Sequence, residues 1–498
     1  MKQKHVSHRK NQRDDFSSLF MMPRSGIMED IMEKDLLIIG GGPGGYVAAI
    51  RASQLGAKVA LIEEDKVGGT CLNRGCIATK ALYKNAEVLN TIKKSEDFGI
   101  SIASYSLNME KVQARKNEVA SNLRGGIEQL LKGFNIEVIY GKANFVDKNK
   151  VEYITTAGSK ETMTASKILI ATGSTVQKLP VEGMDLPNVI TSNEALELDY
   201  VPNDIVIIGG GVIGIEFAGI FTSFGANVTV VEYAPRILPL LDEEMVKRLT
   251  IYLKKKGIKI NAGVGVKKIE QLENKLKVIA DSKDSTVEYT ADLVLVAAGR
   301  AINTSGLGLD NIGIDYDKKG IKVNELFQTS VENIYAIGDV IGGQMLAHVA
   351  SDEGKVAVEN MYGINSSINY DCVPACVFTF PELSSVGLTE EEAKKREIDY
   401  TVGKFNFAAN CKAQTISEGD GLIKVLADNS SKKIIGVHIL GSSASDLIHE
   451  GALVIENGLT VEDIRKTIHA HPTLSEAFQE ATLATLGEAI HTLPRRGL

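Results

Sequence analysis

One pattern, a β-turn-α-β run rich in glycine, occurs twice in this chain at a fixed offset, and it limits the fold more than any other feature. Residues 34–39 form a short apolar run that leads into Gly40-Gly41-Gly42-Pro43-Gly44-Gly45. A helical pattern follows to Leu55, and a second apolar run, 58–62, ends at Glu63. The glycines fall as G-x-G-x-x-G at Gly40, Gly42 and Gly45, with an acid 18 residues beyond the last. Glycine lets the backbone turn tightly and approach a pyrophosphate, a helix N-terminus offers free N–H groups to its charge, and a carboxylate at the end of the second strand accepts ribose hydroxyls. In residues 204–233 the unit returns: Gly209, Gly211, Gly214, Gly225 and Glu232 each stand 169 residues after Gly40, Gly42, Gly45, Gly56 and Glu63. Two dinucleotide sites are therefore expected, one for a nucleotide that stays bound and one for a nucleotide that comes and goes. FAD and a nicotinamide cofactor, NAD, are the obvious pair.

The rest of the chain is read around these units. Residues 151–170 look like a β-meander ending in Ala171-Thr172-Gly173-Ser174, and residues 293–300, LVLVAAGR, form a buried strand that also runs into glycine. Each is either a plain strand end or a crossing between two cofactor domains. A third such strand, 334–337, ends in Gly338-Asp339, which places a carboxylate where it could meet a polyol. From about Tyr370 the texture changes to strands at 377–380, 400–407, 422–427 and 434–440, then helices at 445–457 and 474–487. Strands followed by helices indicate an α+β domain of its own, suited to packing and oligomer contact. The expected fold is α/β: two Rossmann-like dinucleotide-binding domains plus a C-terminal α+β dimerisation domain. The boundaries expected are 34–175 with 301–369 for the first, 176–300 for the second and 370–498 for the third, after a flexible extension at 1–33.

The chemistry that two such units could serve is carried by Gly69 to Leu82, GTCLNRGCIATKAL. Cys71 and Cys76 are five residues apart, which on a regular helix means about 7.5 Å of rise and roughly 140° of rotation, too far for a relaxed disulfide. They can bond only in a distorted first turn, for which Gly75 and Gly68-Gly69 supply the freedom. A disulfide off its preferred geometry is easily reduced, so a working redox pair stands beside the plainer reading of two buried, unbonded thiols. Near the other end stands His469-Ala470-His471-Pro472-Thr473-Leu474-Ser475-Glu476. Pro472 can take the first helical position, which leaves His471 just outside a helix and Glu476 within reach of its imidazole. A lone histidine is more often structural.

Composition excludes several other classes. A net charge of −8 argues against nucleic acid or an anionic membrane as main partner, and five cysteines among 498 residues are too few for a disulfide-stapled secreted scaffold. No apolar run approaches the ~18 residues that a bilayer span needs. A cytoplasmic location follows, with the mitochondrial matrix as the alternative if residues 1–33 are a transit peptide, against which the Asp14-Asp15 pair counts. No metal is expected.

Together these motifs resemble the flavin-dependent disulfide oxidoreductases that use a nicotinamide cofactor, over essentially all of residues 33–493. GGTCLNRGCIATKAL resembles the family's redox helix, AIGDV with Met345, Leu346, Ala347 and His348 its flavin-binding segment, residues 405–413 a stretch typical of its lipoamide enzymes, and HAHPTLSEAF its histidine motif. The resemblance implies a homodimer that oxidises a dihydrolipoyl group borne on the lipoyl-carrying protein of a multienzyme complex and reduces NAD+. It implies Cys71 as the outer sulfur, Cys76 as the inner one beside the flavin, and His471, held by Glu476, as the base reaching across from the other subunit. It further implies FAD contacts at Gly40, Gly42, Gly45, Glu63, Lys80, Gly141, Thr172, Gly173, Asp339 and Met345 to His348. The NAD contacts implied are Gly209, Gly211, Gly214, Glu216, Glu232 and Gly299, with Lys80 pairing with Glu216. Ala78 and Ile302 depart from the family's usual prolines, and residues 1–32 have no family counterpart. Glu232 favours NAD over NADP, since a carboxylate there repels a 2′-phosphate, although Arg236 could offset it.

Overall fold

The structure, a computed structural model, describes residues 33–493 except residue 284. The extension read at 1–33 lies outside the described residues but for its last. Strands Lys34–Ile39 and Val59–Glu63 pair in parallel, and the second strand is flanked in turn by Glu137–Phe145. On its other side Lys34–Ile39 pairs with Lys160–Ile170, which pairs with Ile334–Ala336, so a late segment completes the first sheet. Leu36 to Ile39 are buried because both faces are covered: Leu36 and Ile38 pack among helix residues such as Ala48 and Ala357, and Leu37 and Ile39 among meander residues such as Phe145, Tyr153 and Met163, which is why the run is apolar throughout instead of alternating. One covering helix, Pro43–Gln54, buries the small residues Gly44, Gly45, Ala48, Ala49 and Ala52, and Ala347–Met361 packs closely against it. The expected meander is present as Glu137–Phe145, Lys150–Thr155 and Lys160–Ile170.

The second unit repeats this plan. Its parallel sheet runs Lys259–Ala262, Asn227–Glu232, Asp204–Ile208, Leu293–Val296, Val189–Thr191, with an antiparallel meander of Gly265–Gln271, Leu276–Asp281 and Thr286–Ala291. The chain passes between the units as a two-stranded ribbon, Ser174–Val176 against Arg300–Ile302. The glycine strand ends on either side of that ribbon are therefore crossings.

The last unit is a five-stranded antiparallel sheet in the order Ala375–Val377, Glu382–Gly387, Ile434–Gly441, Leu422–Asp428, Tyr400–Asn406. Two expectations are corrected here. The strand placed at 377–380 lies at Ala375–Val377, and Phe378 to Phe380 instead leave the sheet towards the first two units, where Tyr83 stacks on Phe380 at 4.6 Å. Pro472 does not open a helix: the last helix is Glu476–Leu483, and His471-Pro472 lies in the loop before it. Glu382–Gly387, which pairs on both sides, is a further strand that the sequence pattern does not show; Ser384 and Ser385 are both buried there, on opposite faces, which masks the pattern. Among the described residues no helix is long and apolar enough to cross a membrane.

Candidate active site

The three units enclose a branched cleft of about 2620 Å³, and most of the residues singled out from the sequence line it. In the first unit Gly40 has φ +105°, and a side chain there would strike the Ala171 carbonyl. Gly209 has φ +115° and meets Ala297 in the same way. Gly45 and Gly214 are not in the cleft; a Cβ on either would overlap the carbonyl oxygen of Gly40 or Gly209, so they serve the close approach of helix to strand. Gly42 and Gly211 differ again. A Cβ at Gly211 meets nothing within 4 Å, and one at Gly42 only the Gly69 Cα at 4.0 Å, so both would project into the cleft. These two residues cap the helices Pro43–Gln54 and Val212–Phe224 without any side-chain hydrogen bond, which leaves the first-turn N–H groups aimed at the cleft. The acids are held identically. Glu63 accepts from the Gly41 N–H at 2.6 Å and the Asp65 N–H at 2.9 Å, and Glu232 from the Gly210 and Ala234 N–H groups.

Cys71 lies in the short helix Gly69–Arg74 and Cys76 begins the next, Cys76–Lys93. Between them Gly75, at φ −148° and ψ −124°, breaks the helix; a Cβ there would sit 2.8 Å from the Thr70 carbonyl oxygen and 3.2 Å from the Cys71 Cα. The break brings the thiols together. Neither is in a disulfide in the structure, and a hydrogen bond links the two sulfurs with Cys71 as its donor. That bond, then the Lys80 ammonium, holds the Cys76 thiol down at about 7 against burial, while the same bond and burial push Cys71 up. Lys80 Nζ donates to both oxygens of Glu216 at 2.8 Å and lies 4.4 Å from the centre of the Phe378 ring. The Glu216 side chain is 5% exposed and also accepts the Phe378 N–H at 3.1 Å.

His471 and Glu476 do not line this cleft. His471 Nδ1 stands 2.8 Å from Glu476 Oε1, and Glu476 Oε2 accepts the Thr473 N–H at 2.8 Å. Against its burial, the Thr473 N–H and then His471 hold the Glu476 carboxyl below its ordinary value. The His471 side chain is 65% exposed, and among the described residues its Nε2 has no hydrogen-bond partner. Its neighbour His469 is different: its side chain is 5% exposed and Nε2 is bound to Glu450 at 2.8 Å.

Residues 34–354 match the family described as pyridine nucleotide-disulphide oxidoreductase, and residues 373–482 match the dimerisation domain of the same family. The chain belongs to this family. It is 44% identical over 470 residues to the dihydrolipoyl dehydrogenase of Bacillus subtilis, covering 92% of this chain and 99% of that one. With the mitochondrial dihydrolipoyl dehydrogenase of Sus scrofa it shares 42% over 470 residues, 92% of either chain. Among solved structures, the HOCl-induced flavoprotein disulfide reductase RclA of Escherichia coli superposes with a TM-score of 0.80 at 30% identity, over 90% of this chain and 99% of that one.

As a pyridine nucleotide-disulphide oxidoreductase the protein is an enzyme whose cofactors are FAD and NAD, and the cleft fits them: two uncapped helix N-termini, each with a glycine that leaves the approach open, and two fixed carboxylates. Several other residues line the cleft or support it, and no local pattern points to them. Arg300 donates to Ser174 Oγ and Ser174 O at 2.6 Å, and Ser174 Oγ also bonds Asp339. Buried Glu353 accepts the Gly338 N–H at 2.6 Å and the Tyr370 hydroxyl at 2.7 Å, which fixes the turn carrying Asp339. Three of the sequence-derived contacts have further duties. Thr172 Oγ1 donates to the Asn303 carbonyl, His348 Nε2 bonds the Pro374 carbonyl at 2.9 Å, and Gly141 is required by the approach of Ile154 O, where a Cβ would lie at 2.6 Å. Met345, Leu346, Ala347, Gly173 and Gly299 line the cleft.

Proposed function

We propose that this protein is a dihydrolipoyl dehydrogenase, oxidising the dihydrolipoyl group of a carrier protein in a multienzyme complex and delivering two electrons to NAD+. The observation that carries the reading is the division of labour between Cys71-Cys76, inside the cleft with Lys80 and Glu216, and His471-Glu476, exposed outside it. A base that lies off its own cleft yet holds one nitrogen free suits an active site built across a two-fold dimer interface. Residues 34–175 with 301–369 then hold FAD, 176–300 hold NAD, and 370–498 form the dimer. We place the reaction in the cytoplasm.

With the pair as a disulfide, His471 Nε2 of the other subunit takes a thiol proton from the substrate, and Glu476 at Nδ1 stabilises the imidazolium. The substrate thiolate attacks Cys71 Sγ, the Cys71–Cys76 bond breaks, and Cys76 leaves as thiolate. The second substrate thiol, once deprotonated, attacks the sulfur bonded to Cys71; the dithiolane closes and Cys71 leaves, recovering a proton. Substrate dithiol and protein disulfide have become substrate disulfide and protein dithiol. Lys80 stabilises the Cys76 thiolate, and Glu216 keeps the ammonium in place. FAD held in the first unit by Gly40, Gly42, Glu63 and Asp339 would supply a two-electron acceptor for this dithiol, and NAD+ held in the second by Gly209, Gly211 and Glu232 would be the hydride acceptor. Glu232 supports NAD over NADP, and Arg236 does not offset it: its guanidinium is spent on the carbonyls of Leu241 and Pro239, each at 2.9 Å.

The test mixes two homodimers. His471→Ala should lower lipoamide turnover by about 10²–10⁴-fold, the usual contribution of a general base, with FAD retained. Refolded together with Cys71→Ser, it should regain roughly a quarter of wild-type activity, since half of randomly formed dimers are mixed and each of those has one intact site. No recovery despite demonstrated subunit exchange would remove His471 from the other subunit's site.

A further inference from the structure

Lys424 sits in the strand Leu422–Asp428 of the C-terminal sheet with its side chain 0% exposed, yet its ammonium serves another unit. Nζ donates to Oδ1 and Oδ2 of Asp242 at 3.0 and 2.9 Å and to Glu390 Oε2 at 2.6 Å, and lies 3.3 Å from Glu244. Asp242, also 0% exposed, belongs to the second nucleotide unit, where it caps the helix Glu243–Lys255 by accepting the Met245 N–H. Taking two charges out of water costs several kcal/mol per ion, so a pair like this adds little net stability over apolar packing; where such pairs earn retention, the best-attested use is to fix register.

What Asp242 registers is the segment immediately before it. Residues 233–241 follow directly on Glu232, and Tyr233, Pro239, Leu240 and Leu241 line the cleft, with Tyr233 and Leu240 84% and 89% exposed. The segment is held near its start by the Ala234 N–H on Glu232 and the Gly263 N–H on the Ala234 carbonyl, and further on at three points. Arg236 bridges the carbonyls of Pro239 and Leu241, the Leu238 N–H donates to the Gly210 carbonyl at 2.9 Å, and Asp242 anchors the far end on Lys424. Gly210 in turn gives its N–H to Glu232. An unbroken chain of hydrogen bonds and backbone thus runs from the interior of the dimerisation domain to the glycine turn and acid of the second nucleotide unit.

We propose that Lys424 is a positioning residue for the nicotinamide-nucleotide site, fixing through Asp242 the 233–242 segment against Gly210 and Glu232. The proposal rests on the assignment of the second unit to NAD. It makes the dimerisation domain part of the device that shapes NAD binding, without any contact between Lys424 and the nucleotide.

The test uses the FAD-loaded dimer carrying Lys424→Met together with Asp242→Asn, which neutralises the pair while asparagine still caps the helix. The KM for NAD+ should rise by about 2- to 30-fold, the range over which residues remote from a ligand modulate its affinity, with kcat within about twofold. Calorimetric affinity for NAD+ should fall in step, and hydrogen exchange at the Leu238 amide should quicken. A folded dimer with unchanged NAD+ affinity and unchanged Leu238 exchange overturns the proposal. If the double variant does not fold, Glu390→Gln decides: it weakens the hold on the same ammonium from its partly exposed side, and should raise the KM for NAD+ in the same direction by less. No change in that variant also overturns the proposal. Wild-type enzyme with no saturable dependence on NAD+ would instead refute the assignment on which the proposal rests.

Discussion

Replacing Cys71 with alanine should slow alkylation of Cys76 by ~15-fold at neutral pH. In the structure the largest influence on the Cys76 thiol is the hydrogen bond from Cys71, followed among the lowering causes by Lys80, and together they hold it at about 7. Alanine removes the donor, so the thiol should return towards the ~8.5 of an unperturbed cysteine. At neutral pH the thiolate fraction then falls from about a half to ~3%, and because only the thiolate is nucleophilic the rate falls in proportion. The assay is pulsed iodoacetamide labelling of the reduced holoenzyme between about pH 5 and 10. The Cys76 peptide must be quantified by mass, because Cys372, Cys376 and Cys411 are also free. Serine at position 71 would be the wrong control, since its hydroxyl can still donate. Lys80→Met should shift the midpoint upward by less than Cys71→Ala does. The opposite order, a midpoint still near 7 in Cys71→Ala and a large rise in Lys80→Met, would show that the ammonium and not the thiol hydrogen bond sets the acidity, and the reasoning would fail.

Two further outcomes are expected. Glu232→Ala should narrow the ratio of kcat/KM for NAD+ over NADP+ without inverting it, because Arg236 is already engaged by Pro239 and Leu241 and offers the 2′-phosphate no free cation. Inversion in that variant would show that the guanidinium leaves its carbonyls to bind phosphate. Gly75→Val should disable the redox pair while FAD still binds: a Cβ at 2.8 Å from the Thr70 oxygen forces the helices Gly69–Arg74 and Cys76–Lys93 apart, so thiol titration after mild oxidation should count two more free thiols per chain than in wild type. An unchanged thiol count would mean that the helix break tolerates a side chain.

How much of this was legible in the sequence depends on how far apart the interacting residues stand. The G-x-G-x-x-G units read cleanly because each glycine answers a local demand: the turn at Gly40, the open approach at Gly42, the helix-to-strand contact at Gly45, all within a few residues of one another. Lys80 and Glu216 were joined only through family resemblance, since 136 residues separate them and no local pattern couples them. The two histidines of the HAHP motif are indistinguishable by composition, and the structure separates them through Glu450, 19 residues before His469, which occupies the one and leaves the other exposed.

The same distance effect explains the strand that was missed and the cluster that was not foreseen. In Glu382–Gly387 the inward Ser385 is tolerable because His438 Nδ1 meets its hydroxyl at 3.0 Å, 53 residues further on; read locally, two buried serines argue against a core strand. Lys424, between apolar neighbours, reads as the solvent-facing position of a half-buried strand, whereas Asp242, 182 residues earlier, makes its complete burial tolerable. Polar residues at such places carry no signature in their own neighbourhood, because the group that makes them stable lies in another unit of the fold. The polar pairs linking distant segments, Lys80 with Glu216 and Lys424 with Asp242, thus join units that also share one apolar core, in which Leu82, Ile207 and Leu440 belong to one cluster. The apolar share of that contact is legible in local pattern, and the polar share, which aligns Lys80 beside Cys76 and Asp242 beside the second nucleotide unit, is not.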